Sequence, residues 1–190
     1  DPHFSAAYND LGMLYAKAKN FKKAIEYYNL AIKNNSGFAF AYTNLANVYN
    51  EMNDLDKAKE FYKKALEIDP NFSYAYLSLG NIYNNLKQYS LAIENYQKAV
   101  EINPEFVHGY NNLGSSYYSL KNYPLAIENY KKAIKINSDF LPAYSNLGLA
   151  YEAFGNKNDA IEIYEKIKTK FPGTNEAIES EKIIAELTIP

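Results

Sequence analysis

Tyr76-Leu77-Ser78-Leu79-Gly80-Asn81-Ile82-Tyr83 is one copy of a string, Tyr-x-x-Leu-Gly-x-x-Tyr, that decides how this chain folds. It starts at Tyr8, Tyr42, Tyr76, Tyr110 and Tyr144, with Ala46 in place of glycine in the second copy, and each copy lies 34 residues after the last. A second string follows at fixed offset: Ala24-x-x-x-Tyr28-x-x-Ala31, then Ala58/Tyr62/Ala65, Ala92/Tyr96/Ala99, Ala126/Tyr130/Ala133 and a degenerate Ala160/Tyr164/Ile167. Pro70, Pro104 and Pro172 close three of the units. Apolar residues at i, i+3, i+4 and i+7, as in Tyr42, Leu45, Ala46 and Tyr49, mark one face of an amphipathic helix. Each unit thus predicts two helices, and short connectors such as Lys87-Gln88 make them antiparallel neighbours. The small residue at 12, 46, 80, 114 and 148 suits a close helix crossing, so Gly80→Leu is expected to overpack it by about 1–3 kcal/mol.

Self-similarity at this period, with small and aromatic residues at these offsets, resembles the tetratricopeptide repeat family. The resemblance implies an all-α, right-handed solenoid of helix-turn-helix repeats. Its units are expected at 5–38, 39–72, 73–106, 107–140 and a degenerate 141–174. Residues 1–4 (Asp1-Pro2-His3-Phe4) repeat the unit-ending string Asp69-Pro70-Asn71-Phe72 and are expected to be the close of an absent upstream repeat. Residues 175–190 form a capping helix and tail, with Ala177, Ile178, Ile184 and Leu187 as its apolar stripe and Lys168 replacing the apolar residue of earlier units.

Composition narrows the functions. The formal net charge is -2 and all 20 basic residues are lysine. A nucleic-acid binder needs a clustered basic excess, and arginine supplies the bidentate fork for phosphates and bases, so no nucleic-acid partner is expected. Without cysteine there is no disulfide, thiolate metal site or cysteine nucleophile. No apolar run reaches the roughly 20 residues that span a bilayer, so no membrane insertion is expected, and the expected setting is cytoplasmic. His3 and His108 are the sole histidines, and the phosphate-loop, zinc and nucleophile-elbow motifs are missing. No enzyme activity is expected within these residues, and no cofactor or metal.

Fifteen of the 20 tyrosines fall in the two repeated strings and are expected in the core. The face of each first helix opposite that string carries the candidate binding residues. Phe40, Tyr74 and His108 share one row with Pro142, and Asn44, Asn112 and Asn146 share the next with Asp10 and Ser78. Asn47 and Asn81 lie in a third with Met13, Ser115 and Leu149, and Tyr118 sits one turn further. A carboxamide both donates and accepts, so a row of asparagines can satisfy successive amides of a bound backbone, while aromatics anchor its side chains. Asn44, Asn112 and Asn146 are similar to the asparagine ladder in the repeats of O-GlcNAc transferase and related proteins; Asp10 and Ser78 depart from it. The family's clamp for acidic chaperone tails requires basic residues that no register supplies here: Asn9, Tyr74 and Ser78, or Thr43, His108 and Asn112, or Leu77, Pro142 and Asn146. Binding of such tails is therefore expected to be very weak.

The sequence points to a scaffold that binds a protein or an extended peptide in the groove its first helices line. A substrate-selecting region of a larger enzyme such as a glycosyltransferase, and a self-assembling scaffold, stay open beside it. Because the groove asparagines project away from the helix-packing face, their loss is expected to weaken binding and leave folding nearly untouched.

Overall fold

The computed structural model describes residues 2–189, with side chains from Phe4 onward. Eleven helices and no strand occur among the described residues: α1 Pro2–Lys17, α2 Phe21–Asn34, α3 Ala39–Glu51, α4 Leu55–Ile68, α5 Ser73–Asn85, α6 Tyr89–Ile102, α7 Val107–Ser119, α8 Tyr123–Ile136, α9 Leu141–Phe154, α10 Lys157–Lys170 and α11 Asn175–Thr188. The chain divides into two compact units, Asp1–Ile82 and Tyr83–Pro190. In the first, α1 packs on α2 and α3 on α4; in the second, α7 packs on α8, α9 on α10 and α10 on α11.

Two local devices recur at the repeat period. Between first and second helices the backbone turns through one left-handed residue, at Lys19, Asn53, Lys87, Lys121 and Gly155, with φ between 57° and 85°. Glycine and asparagine accept this conformation readily; lysine does so at a cost of about 1–2 kcal/mol. Where second helices end, Asn35, Asp69, Asn103 and Asn137 accept a hydrogen bond from the backbone N–H two residues on, at Gly37, Asn71, Glu105 and Asp139 (2.9–3.2 Å). These side-chain turns redirect the chain into the next first helix. Asn20, Asp54 and Asn122 cap second-helix N-termini by accepting from the amides of Lys23, Lys57 and Leu125, and Pro124 stands in the first turn of α8.

The core differs in one respect from the expectation that all fifteen repeated tyrosines lie in it. Tyr28, Tyr62, Tyr96, Tyr130 and Tyr164, one per second helix, are at most 3% exposed. The repeated tyrosines of the first helices α1, α3, α5 and α7 are half-buried, and only Tyr144 and Tyr151 of α9 are buried. The buried stripe of a first helix is instead Ala41, Leu45 and Val48 in α3, Gly109, Leu113 and Ser116 in α7, and Ala143, Leu147 and Ala150 in α9. Each buried second-helix ring lies on the small residue of its own repeat. A Cβ on Gly12, Gly114 or Gly148 would come within 2.5–2.7 Å of the ring of Tyr28, Tyr130 or Tyr164. These rings are buried, so Gly114→Ala is expected to destabilise by about 1–3 kcal/mol, read as a lower urea midpoint with an unchanged slope. A wild-type midpoint would mean that Tyr130 can step aside.

Helices run into both ends of the described residues. Asp1 and the side chains of Pro2 and His3 lie outside the described residues; the backbone from Pro2 to Phe4 continues α1, whereas Pro70, Asn71 and Phe72 form a turn between α4 and α5. In α11, Ala177 and Ser180 are buried and Ile183, Ile184 and Leu187 pack on the core of the second unit. Ile178 is 53% exposed. It stands about 100° around the helix from Ala177 and so misses the i, i+3, i+7 stripe, which Ser180 and Ile184 complete. On the outer faces Glu60–Lys64 and Glu128–Lys132 pair at 2.6 and 2.7 Å, while Lys98 reaches Glu101 at 3.0 Å.

Candidate functional site

The first-helix residues singled out above occur in both units, and in each the buried tyrosine of a second helix comes up beneath them. In the first unit, the Tyr62 hydroxyl donates to Oδ1 of Asn47 and also bonds Ser78 of the following repeat. In the second unit, Tyr130 donates to Oγ of Ser115 at 3.2 Å, and Tyr96 bonds Asn112. Tyr164 donates to the carboxylate of Glu152. Burial pushes all of these phenols up from their ordinary value, that of Tyr130 to about 12. They stay neutral, and they act as fixed donors under the polar face.

The asparagine row is also tied down from the side. Asn44 of α3 donates through Nδ2 to Oδ1 of Asn9 in α1, at 2.9 Å. Asn146 of α9 makes the same bond to Asn111 of α7, at 3.0 Å. Both acceptors are interior: Asn9 is 6% and Asn111 9% exposed. Asn111 in turn points its own amide at Oδ1 of Asn112 (3.4 Å). The expectation that these asparagines stand clear of the packing is therefore corrected. They are half-buried and they join one repeat to the next, because a first helix lies beside the first helix of its neighbour at a distance that two carboxamides span. Asn84, one turn further along α5, accepts from the wholly buried Ser116 (3.0 Å).

The aromatic candidates sit on the surface of the same helices. Phe40 is 57% exposed and leans on Phe72, with ring centres 4.8 Å apart. Tyr74 is exposed as well. His108, exposed, meets the ring of Phe140 edge-on at 5.0 Å, and Tyr118, half-buried, meets Tyr123 at 5.5 Å. Asn47 is exposed and Asn81 half-buried. In the first unit Phe40, Asn44 and Asn47 stand on α3 and Tyr74 and Asn81 on α5, with the Tyr62 hydroxyl linking Asn47 to Ser78; in the second His108, Asn112 and Tyr118 stand on α7 and Asn146 on α9. Chemically, each set offers carboxamides of fixed orientation beside accessible rings. Asn9 and Asn111, which set that orientation, were not among the expected site residues. Their only signal is that an asparagine precedes the row position in the same repeat or the one before.

Among the described residues no helix is long and apolar enough to cross a membrane. Models of the tetratricopeptide repeat match residues 5–38 and 39–72, 61–94 and 143–174, and a related TPR repeat model matches 80–121 and 114–155. No curated protein sequence matches the chain. Among solved structures, a crystal structure of MamA is similar over 98% of this chain and 97% of its own, with a TM-score of 0.76 and 27% identity. PilF of Pseudomonas aeruginosa has a TM-score of 0.81 at 21% identity, over 97% of this chain and 89% of its own. YrrB, described as a TPR protein with an unusual peptide-binding site, has a TM-score of 0.75 at 23% identity, over 92% and 90%. The last two likenesses carry the fold alone.

Proposed function

Because the chain belongs to the tetratricopeptide repeat family and folds as an all-α repeat solenoid, we propose that it is a protein-interaction scaffold whose first helices bind an extended peptide segment. The observation that carries this reading is the tethering of Asn44 by Asn9 and of Asn146 by Asn111. One amide hydrogen of each is spent on the scaffold. The carbonyl oxygen and the other hydrogen have no partner among the described residues, so each side chain presents one acceptor and one donor in a set orientation. A peptide backbone offers the matching pair at every residue. Holding the carboxamide before the ligand arrives reduces the ordering cost of binding. Beside them Phe40 and Tyr74 in the first unit, and His108 and Tyr118 in the second, receive side chains.

The partner is a protein in this reading and not a nucleic acid, on the strength of the -2 formal charge and the lack of arginine. Acidic chaperone tails are poor ligands, since the three clamp registers hold no lysine. A displayed library of random peptides selected against the protein tests the proposal. Selected peptides are expected to lose affinity about tenfold or more, roughly 1.4 kcal/mol, on Phe40→Ala combined with Tyr74→Ala, two exposed positions whose loss leaves the helices intact. Equal affinity for wild type and the double variant would place the peptide elsewhere.

A further inference from the structure

The second unit holds a pocket of about 530 Å³ on the other side of α7 from the asparagines, between α6 and α8. It is lined by Tyr110, Leu113 and Tyr117 of α7, by Gln97 of α6 and by Asn129 and Lys132 of α8. Residue 129, on its lining, corresponds to a ring in the first two repeats, to Asn95 in the third and to Ile163 in the fifth. At the equivalent position of the first repeat, Tyr27 stacks on Tyr15 with ring centres 5.2 Å apart and planes 5° from parallel. In the second repeat Phe61 stacks on Tyr49 at 5.4 Å and 6°. In the fifth, Ile163 occupies the place, and Tyr144 and Tyr151 beneath it are each 7% exposed. In the fourth the residue is Asn129, whose amide turns back onto the Leu125 carbonyl of its own helix at 2.8 Å. Tyr110 and Tyr117 are half-buried, as Tyr42 and Tyr49 are, but residue 129 brings no ring to stack on them.

We propose that this pocket takes an aromatic side chain from a partner protein, which stacks on Tyr117 as Phe61 does on Tyr49. The volume falls in the range of ligand sites and exceeds what one ring fills, leaving room for the backbone that carries it. The walls suit a ring with a polar edge. Lys132 stands 5.8 Å from the centre of Tyr110 and pairs with Glu128 at 2.7 Å, and the Gln97 amide donates to the Tyr117 hydroxyl at 3.1 Å. A ring entering here gains offset stacking on two tyrosines and the field of an ammonium group. The site lies apart from the asparagine face and does not depend on it.

The test titrates the isotope-labelled protein with N-acetyltyrosinamide, N-acetylleucinamide and p-cresol, following the ring protons of Tyr110 and Tyr117 by NMR. N-acetyltyrosinamide is expected to shift both rings saturably, at least fivefold more tightly than the leucine compound. Asn129→Phe, which supplies the ring from within, is expected to abolish the response and to raise the melting temperature. Should that variant misfold, Tyr117→Leu is expected to remove the response as well. Tighter binding of the tyrosine derivative than of p-cresol supports a peptide source for the ring. Equal binding of tyrosine and leucine compounds, preference for p-cresol, or an undiminished response in folded Asn129→Phe would overturn the proposal.

Discussion

Raising the pH from about 10 to about 12 is expected to unfold the protein and release its buried phenolic protons in the same step. Tyr28, Tyr62, Tyr96, Tyr130 and Tyr164 all sit above the ordinary tyrosine value, first because they are buried. Tyr28 is pushed up to about 12, with the charge of Glu51 adding to burial. Each phenol is neutral in the fold and holds its proton more tightly there than in the unfolded chain. The stabilisation is therefore complete below the unfolded value of about 10 and is lost as the pH rises through the folded value. Within that window each retained proton costs about 1.4 kcal/mol per pH unit, so several together cost about 5 kcal/mol for each unit. That is comparable with the whole stability of a domain, about 5–15 kcal/mol. Phenolate absorbance should show the buried group appearing in one cooperative step that coincides with loss of helical circular dichroism. Tyr28→Phe takes one proton out of the linkage and should move the midpoint upward. A smooth titration of all 20 tyrosines near 10, with helicity intact, would show that the rings are open to solvent.

The helices and their order were legible because the 34-residue period fixes which residues are equivalent, and equivalence is enough to place Tyr28, Tyr62, Tyr96, Tyr130 and Tyr164 in one column. Contacts that run between columns were not. The bond from Asn44 to Asn9 spans 35 residues, as does that from Asn146 to Asn111, so the partners stand in adjacent columns and no comparison down a single column pairs them. Tyr62 reaches back 15 residues to Asn47, and Tyr130 does the same to Ser115. These offsets follow from where two packed helices face each other, which the period alone leaves unspecified. The left-handed turn residues were hidden for another reason. Lys19, Lys87 and Lys121 occupy a conformation that composition assigns to glycine or asparagine, and only Asn53 and Gly155 advertise it. Likewise Ile178 counts as apolar in any stripe drawn by residue type, although one residue's rotation turns it to solvent.

The inter-repeat asparagine bonds give the second large effect, and they reverse the expectation that groove and core are independent. Asn146→Ala removes the donor that satisfies Oδ1 of the interior Asn111. A buried acceptor left without a partner costs about 1–3 kcal/mol, more than the net worth of an ordinary hydrogen bond. Asn44→Ala does the same to Asn9. The two pairs lie in separate units and share no partner, so the double variant is expected to lose about 2–6 kcal/mol, roughly the sum. Adding Asn111→Ala to Asn146→Ala should recover part of the loss, because the unsatisfied group then disappears with its partner. A chemical-denaturation cycle over the four combinations of positions 111 and 146 measures this recovery directly. Full additivity of the two substitutions, or a wild-type midpoint for Asn146→Ala, would mean that solvent replaces the bond and that the row is free to serve a ligand alone. With the coupling present, a bound peptide that engages Asn146 also braces the joint between α7 and α9. On the function proposed above, ligand binding then raises the stability of that joint with the logarithm of ligand concentration above Kd.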